Sequence, residues 1–115
     1  MELITLKSSR ELDCMRRAGR ITAGARRLAG ELVRPGMTTL EIDAAVRKYI
    51  ESRGARPSFL GYGGFPGSAC ISVNDVVIHG IPSKKIVLQE GDIVSVDVGA
   101  YIDGFHGDCA ATFPC

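Results

Sequence analysis

Long hydrophobic runs are missing from this sequence of 115 residues, and so is a secretory leader. No stretch approaches the run of about 18 apolar residues that predicts a membrane-spanning helix. The first twenty residues lack the basic n-region and the apolar h-region of a secretory signal. We therefore expect a cytoplasmic chain with no membrane partner.

Paired cysteines and nucleotide-binding loops are also missing. The four cysteines show no CxxC spacing, and in a cytoplasmic chain without a metal-knuckle pattern we expect free, buried thiols. The glycine-rich segment 61–67 contains neither a GK[ST] sequence nor the GxGxxG pattern that leads from a strand into a helix. These absences exclude a disulfide framework and the common phosphate-binding loops.

The composition is that of one globular domain or part of one, with 45% apolar and 23% charged residues. The net charge is +1, but residues 1–56 carry twelve Lys/Arg against seven Asp/Glu, and residues 57–115 carry two against six. A basic half can steer a protein toward nucleic acid or an acidic partner. Because acidic residues are interspersed among the basic ones, we prefer a solvated helix face.

Two capping boxes predict two helices in the basic half. Ser8 and Thr38 are each followed by a glutamate three residues later, the spacing in which a side chain and the backbone cap each other. Apolar residues then recur at helical spacing. A Pro-Gly pair at 35–36 ends the first helix, and Gly54 is a natural residue just beyond the second.

A strand pattern replaces the helical one in the acidic half. Residues 69–73 and 76–78 are predicted as short strands around a turn at 74–75, and residues 89–92 form another turn. Asp103-Gly104 then lies between two β-like runs, and this pair favours a two-residue type I′ turn. Such a turn places Ile102 opposite Phe105 and fixes the pairing of the whole hairpin.

The predicted pairing sorts the hairpin side chains onto two faces. Asp97 and Asp108 share one face as diagonal neighbours, about 7–8 Å apart before their side chains lean together, and Gly99 leaves space above the sheet. The other face is apolar throughout and predicts a contact with the core. Its members are Val94, Val96, Val98, Ala100, Ile102, Phe105, Cys109, Ala111 and Phe113.

The aspartate pair is a candidate metal site. Two carboxylates that meet without a cation repel each other, and one must stay protonated. Oxygen ligands suit Mn, Fe or Co, and carboxylates also bind zinc. Two solvated aspartates on an amphipathic hairpin are the ordinary alternative, although aspartate is disfavoured deep in a strand.

Other side chains are candidates on weaker grounds. His79 follows an apolar strand and precedes a glycine, so we consider it for a cleft, although a lone histidine is more often structural. His106 shares the face of the carboxylates and is a candidate ligand on pairing alone. Phe59, Tyr62 and Phe65 are candidates for an apolar pocket, with ordinary core packing as the alternative.

Four ordered motifs together resemble those of type I methionine aminopeptidases, and the likeness extends to the two leading helices. They occupy residues 59–66, 72–82, 91–97 and 103–108. The resemblance implies an α/β (α+β) chain with half of a pita-bread fold, in which two N-terminal helices pack on an antiparallel sheet that ends in a metal-ligand hairpin. Residues 1–115 would form a single domain, the N-terminal half of the catalytic domain.

The resemblance also implies an activity and residue roles. The family removes the N-terminal methionine from nascent polypeptides by two-metal hydrolysis. By motif match, Asp97 chelates one metal, Asp108 bridges both, and His79 hydrogen-bonds the substrate near the scissile bond. His106 matches a position that is not a metal ligand, so we no longer expect that role for it. The methionine side-chain pocket implied by the match consists of Phe59, Tyr62, Phe65 and Cys70.

The chain departs from the family pattern by what it lacks. The family needs a further ligand histidine, two ligand glutamates and a second substrate-binding histidine, all in a second half that these 115 residues do not contain. The resemblance implies two divalent ions of the Mn, Fe, Co or Zn type in a complete site. We expect only weak or partial metal binding, and no appreciable activity, from this chain alone. The resemblance is to the bacterial form, so we expect no N-terminal zinc-finger extension.

The resemblance has implications for partners, and two alternatives to the aminopeptidase interpretation exist. The resemblance implies the N-terminal methionine of nascent polypeptides as substrate, leaves ribosome association open, and implies no specific DNA binding. One alternative is a non-catalytic half pita-bread binding module that uses the basic helical face. Another is a proline-specific peptidase of the same fold, but segments 59–66 and 79–82 resemble the methionine enzyme more closely.

Overall fold

Two helices and one antiparallel sheet make up the computed structural model, which describes residues 8–74 and 80–115. His79 and the strand predicted at 76–78 lie outside the described residues. The sheet contains four strands, and a short 3-10 turn spans Tyr62–Gly64. The helices are α1 (Ser9–Glu31) and α2 (Thr39–Ser52); the strands are β1 (Arg56–Pro57), β2 (Ala69–Val73), β3 (Ile93–Ile102) and β4 (Phe105–Pro114).

Both predicted capping boxes are confirmed. The Ser8 hydroxyl accepts the Glu11 backbone N–H at 3.1 Å, and the Glu11 carboxylate accepts the Ser8 N–H at 3.0 Å. Thr38 makes the same pair of contacts at the start of α2. Gly54 follows α2 with a φ of +79°, a left-handed conformation that glycine adopts without steric cost. Local sequence therefore sets three of the four helix ends.

Strand β3 is the centre of the sheet, because every other strand pairs with it. β4 pairs along its whole length, from Ile93↔Pro114 to Ile102↔Phe105, as predicted. Asp103 and Gly104 have φ of +52° and +85°, which a type I′ turn requires. β2 and β1 pair with successive stretches of β3, at residues 94–98 and 100–101, and so share its other edge.

The core lies between the sheet and the helices. Val94, Val96, Val98 and Ala100 are fully buried, which confirms the predicted apolar face for most of β3. The other members of that face, Ile102 and the apolar residues of β4, are half-buried. α1 packs against β3 and β4 and buries a stripe of small residues, and α2 adds Ile42, Val46 and Ile50. The four cysteines are free, as predicted, but each is half-buried rather than buried.

A glycine in β4 lets α1 approach the sheet closely. A Cβ atom at Gly107 would lie 2.6 Å from Thr22 Oγ1 and 2.7 Å from the Ala18 carbonyl oxygen. α1 is long, but among the described residues no helix combines the length and apolarity that crossing a membrane requires. The length of α1 instead serves packing along the hairpin.

We predict that Gly107→Ala lowers the free energy of unfolding by about 2 kcal/mol, because the new methyl group forces α1 away from β4. The measurement is urea denaturation followed by circular dichroism. Gly19→Ala is the matched control, since nothing lies within 4 Å of a Cβ at this exposed helical position. It should stabilise the chain by up to about 1 kcal/mol. Equal effects of the two substitutions would contradict the close packing.

Candidate metal centre and adjoining pocket

The hairpin brings Asp97 and Asp108 together on the face that points away from the core. Asp97 pairs with Ala110 and Asp108 pairs with Gly99, so the two aspartates are diagonal neighbours, as the turn predicted. Burial raises the pKa of the Asp97 carboxyl to about 7, and a hydrogen bond with Asp108 and its charge act in the same direction. The Asp97 carboxyl therefore keeps its proton to a much higher pH than an ordinary aspartate does.

This arrangement fits a divalent cation. Within the described part of the chain, Oδ1 of Asp97 is buried and has no hydrogen-bond partner. An unsatisfied buried acceptor costs about 1–3 kcal/mol. A cation beside both carboxylates would give this oxygen a partner and remove the repulsion with Asp108. The donors are hard oxygens, which suit divalent ions.

The carboxylate pair is only part of a ligand set. Across residues 8–74 and 80–115, no group of three or more His, Cys, Asp or Glu side chains is placed to hold a metal ion. His106 shares the face of the carboxylates but bonds elsewhere: its Nδ1 lies 2.9 Å from the Ser58 hydroxyl oxygen. Further ligands would have to come from outside the described residues.

A cavity of about 690 Å³ opens beside the carboxylates. Its walls include the four residues that the family resemblance implies for a methionine pocket, together with Asp97 and Asp108. Phe59 and Phe65 meet edge to face, with ring centroids 6.5 Å apart. Tyr62 lies at the rim with 83% of its surface exposed. The structure thus gathers these residues in one place, while their roles stay predictions.

Cys70 lines the cavity next to the carboxylates. It lies directly opposite Asp97 in the pairing of β2 with β3. Burial raises the pKa of its thiol, and the charges of Asp97 and Asp108 raise it further. The thiol therefore stays protonated at neutral pH and acts as a small, neutral wall.

Asp43 anchors the pocket segment, and the sequence interpretation missed it. Its Oδ1 accepts the backbone N–H groups of Ser68 at 2.7 Å and Ala69 at 2.8 Å, where the segment enters β2. Burial raises the pKa of the Asp43 carboxyl despite these bonds and the charge of Arg47. A signal was present, because Asp43 interrupts the buried stripe of α2, which otherwise consists of Thr39, Ile42, Val46 and Ile50.

Residues 13–115 match the sequence profile of metallopeptidase family M24. The chain belongs to this family of metallopeptidases, and the predicted fold and the predicted resemblance are both confirmed. Methionine aminopeptidase A of Synechocystis is 48% identical over 112 residues, which cover 97% of this chain and 44% of that protein.

Solved structures show the same likeness. The crystal structure of a methionine aminopeptidase from Thermotoga maritima superposes with a TM-score of 0.92 at 40% identity, covering 97% of this chain and 45% of that one. The prolidase from Pyrococcus furiosus superposes with a TM-score of 0.80 at 25% identity, covering 94% and 32%. The chain thus spans less than half the length of these relatives.

We predict that Asp108→Asn lowers the pKa of Asp97 from about 7 in the metal-free protein. The substitution removes a charge, but burial remains, so the pKa should stay above its ordinary value near 4. The measurement is an NMR titration of the Asp97 carboxyl carbon. Asp13→Asn, an exposed change on α1, is the control, and an unchanged Asp97 pKa in Asp108→Asn would contradict the pairing.

The same shift predicts the pH dependence of stability. A carboxyl whose pKa is higher in the folded than in the unfolded state contributes stability below pH 4 or so, and this contribution is lost as the pH rises through about 7. Removal of the Asp108 charge should make that loss smaller. Urea denaturation at pH 4 and pH 8 measures the loss of stability in the wild type and in Asp108→Asn. An equal loss in these two proteins would contradict the prediction.

Proposed function

We propose that this chain supplies the N-terminal half of the active site of a methionine aminopeptidase, which removes the N-terminal methionine from nascent polypeptides. The observation that carries the proposal is the carboxylate pair at the mouth of an apolar cavity. Identities of 40–48% to methionine aminopeptidases support it. The proline-specific alternative has less support, because the prolidase is only 25% identical.

In this proposal Asp97 and Asp108 hold the cations through their carboxylate oxygens. Bound divalent ions would lower the pKa of a water molecule and polarise the peptide carbonyl group. The chain itself holds the substrate: Phe59 and Phe65 surround an unbranched apolar side chain and exclude water. Shape in such a pocket discriminates modestly, by about 1–3 kcal/mol for one methylene group.

His79 is proposed to hydrogen-bond the substrate near the scissile bond, and the next residue supports this placement. The Ile71 N–H donates to the Gly80 carbonyl oxygen at 2.8 Å. This bond anchors the chain just after His79 to β2, beside Cys70, which lines the cavity. Gly80, the described residue next to His79 in the sequence, therefore lies beside the strand that contributes Cys70 to the cavity.

Two carboxylates leave most coordination positions to water. We therefore propose that full metal binding, with two ions of the Mn, Fe, Co or Zn type, needs a second half of the active site. Relatives more than twice the length of this chain are consistent with that requirement. The chain alone should bind metal weakly and show no appreciable hydrolysis, and we place the complete protein in the cytoplasm.

The alternative of a binding module on the basic helical face has less support. Arg16 pairs with Asp13 at 2.9 Å, Arg17 pairs with Asp103, and Arg26 donates to the Cys109 sulfur at 3.0 Å. These contacts engage part of the basic face within the chain. These basic side chains therefore give no support to ribosome association.

We predict that the complete protein releases methionine from a Met-Gly peptide only with added Mn²⁺ or Co²⁺. Asp97→Asn or Asp108→Asn should lower kcat/KM by more than about 100-fold, because each removes a metal-binding oxygen. Asp13→Asn, an exposed change on α1, is the control and should leave kcat/KM within about twofold of wild type. Metal-independent release, or none at all, would refute the proposal.

We also predict weak Mn²⁺ binding by the 115-residue chain in isothermal titration calorimetry. Asp97→Asn should abolish it, because the remaining carboxylate offers one ligand side chain only. Glu90→Gln changes an exposed carboxylate in the 89–92 turn, and it should leave the binding isotherm unchanged. Equal loss in both variants would place the ion elsewhere.

A further inference from the structure

Residues 56–58 lead into the aromatic wall of the cavity through the shortest strand of the sheet. β1 has only two residues, and beyond it the Ser58 N–H donates to the Gly99 carbonyl oxygen at 3.0 Å. Phe59, which lines the cavity, comes next, followed by Gly61 with a φ of +80°. Because the backbone attachment is short, the position of Phe59 depends on how firmly Ser58 is held.

The Ser58 side chain reaches across β3 to β4. Its Oγ lies 2.9 Å from Nδ1 of His106. Both β1 and β4 pair with β3, so this contact spans the central strand. Gly99 of β3 makes room for it, since a Cβ there would lie 2.9 Å from the Ser58 Cβ and 3.1 Å from its Oγ.

The His106 ring is held from its other side. Tyr101 pairs with His106 across the hairpin, and the two ring centroids are 4.5 Å apart. The Arg56 guanidinium carbon lies 5.0 Å from the Tyr101 ring centroid, a favourable cation–π distance. The two rings are tilted by 49°, and their contact restrains the imidazole while its Nδ1 lies at hydrogen-bond distance from Ser58.

We propose that the contact between Ser58 and His106 is a positioning element for substrate selection. Phe59 directly follows Ser58, and Asp108 lies two residues after His106 on the same face of β4. The contact therefore sets the aromatic wall of the pocket at a fixed separation from the carboxylates. The proposal rests on the proposed function above. His106 acts in it through Ser58 and touches neither metal nor substrate.

Three variants separate this role from general stability. Ser58→Ala and His106→Leu remove the contact, whereas His106→Asn retains a polar group near the position of Nδ1. The first measurement is hydrogen–deuterium exchange of residues 59–65. Loss of one hydrogen bond, about 1 kcal/mol, should speed exchange about fivefold in the first two variants and little in His106→Asn. The double variant should exchange no faster than either single variant, because both remove one contact.

The second measurement compares the binding of methioninamide and leucinamide to the complete protein with Mn²⁺. Removal of the contact should reduce the preference for methioninamide about fivefold, in line with the same lost bond, and leave the Mn²⁺ affinity unchanged. Unchanged exchange in His106→Leu, additive effects in the double variant, or a parallel loss of Mn²⁺ affinity would overturn the proposal.

The two measurements also distinguish this proposal from the proposed function. If exchange rises as expected but the wild-type protein shows no preference for methioninamide, the proposed function is wrong and substrate selection by this contact fails with it. If the wild-type protein prefers methioninamide and the contact-free variants keep that preference, only the positioning role fails.

Discussion

The pairing of β3 with β4 is the interaction on which the rest of the structure depends. Ten residues of each strand pair in one register, and the left-handed conformations of Asp103 and Gly104 set that register. A slip of β4 by one residue would turn its side chains to the opposite face of the sheet, because β3 is also held by β1 and β2. Asp108 would then point toward α1 and the apolar side chains of β4 toward solvent, so the core and the carboxylate pair depend on one turn.

The carboxylate pair shows the tension that this register creates. The register places Asp97 beside Asp108, and burial, together with the hydrogen bond and the charge of Asp108, raises the pKa of Asp97 to about 7. Oδ1 of Asp97 is buried without a partner in the described residues. A strand that served only stability would avoid such a pair. The pair is understandable as a cation site, because a divalent ion converts the repulsion into attraction.

The cavity is held by anchors at both ends of its irregular segment. Asp43 holds the end that enters β2 by accepting two backbone N–H groups. Ser58 holds the other end through Gly99 and His106. Between them the chain turns at glycines with positive φ and closes these turns with its own backbone hydrogen bonds, so the anchors and the turns together set its shape.

Local sequence alone determined the two helices, three of their four ends and the hairpin. Capping boxes, periodicity and the Asp103-Gly104 turn act over a few residues, and their outcome does not depend on distant parts of the chain. The diagonal placement of Asp97 and Asp108 on one face followed from the turn, because the turn specifies which residues of the two strands pair. The family motifs led to the metallopeptidase family, and the match over residues 13–115 confirmed it.

Only the tertiary structure decided which distant residues meet. Asp43 lies 25 residues before Ser68, and Ser58 lies 48 residues before His106. No local pattern encodes such contacts, because they depend on how α2 and β1 pack against the rest of the sheet. The sequence therefore determined the elements and the carboxylate pair, while packing between those elements decided how the pocket is held beside it.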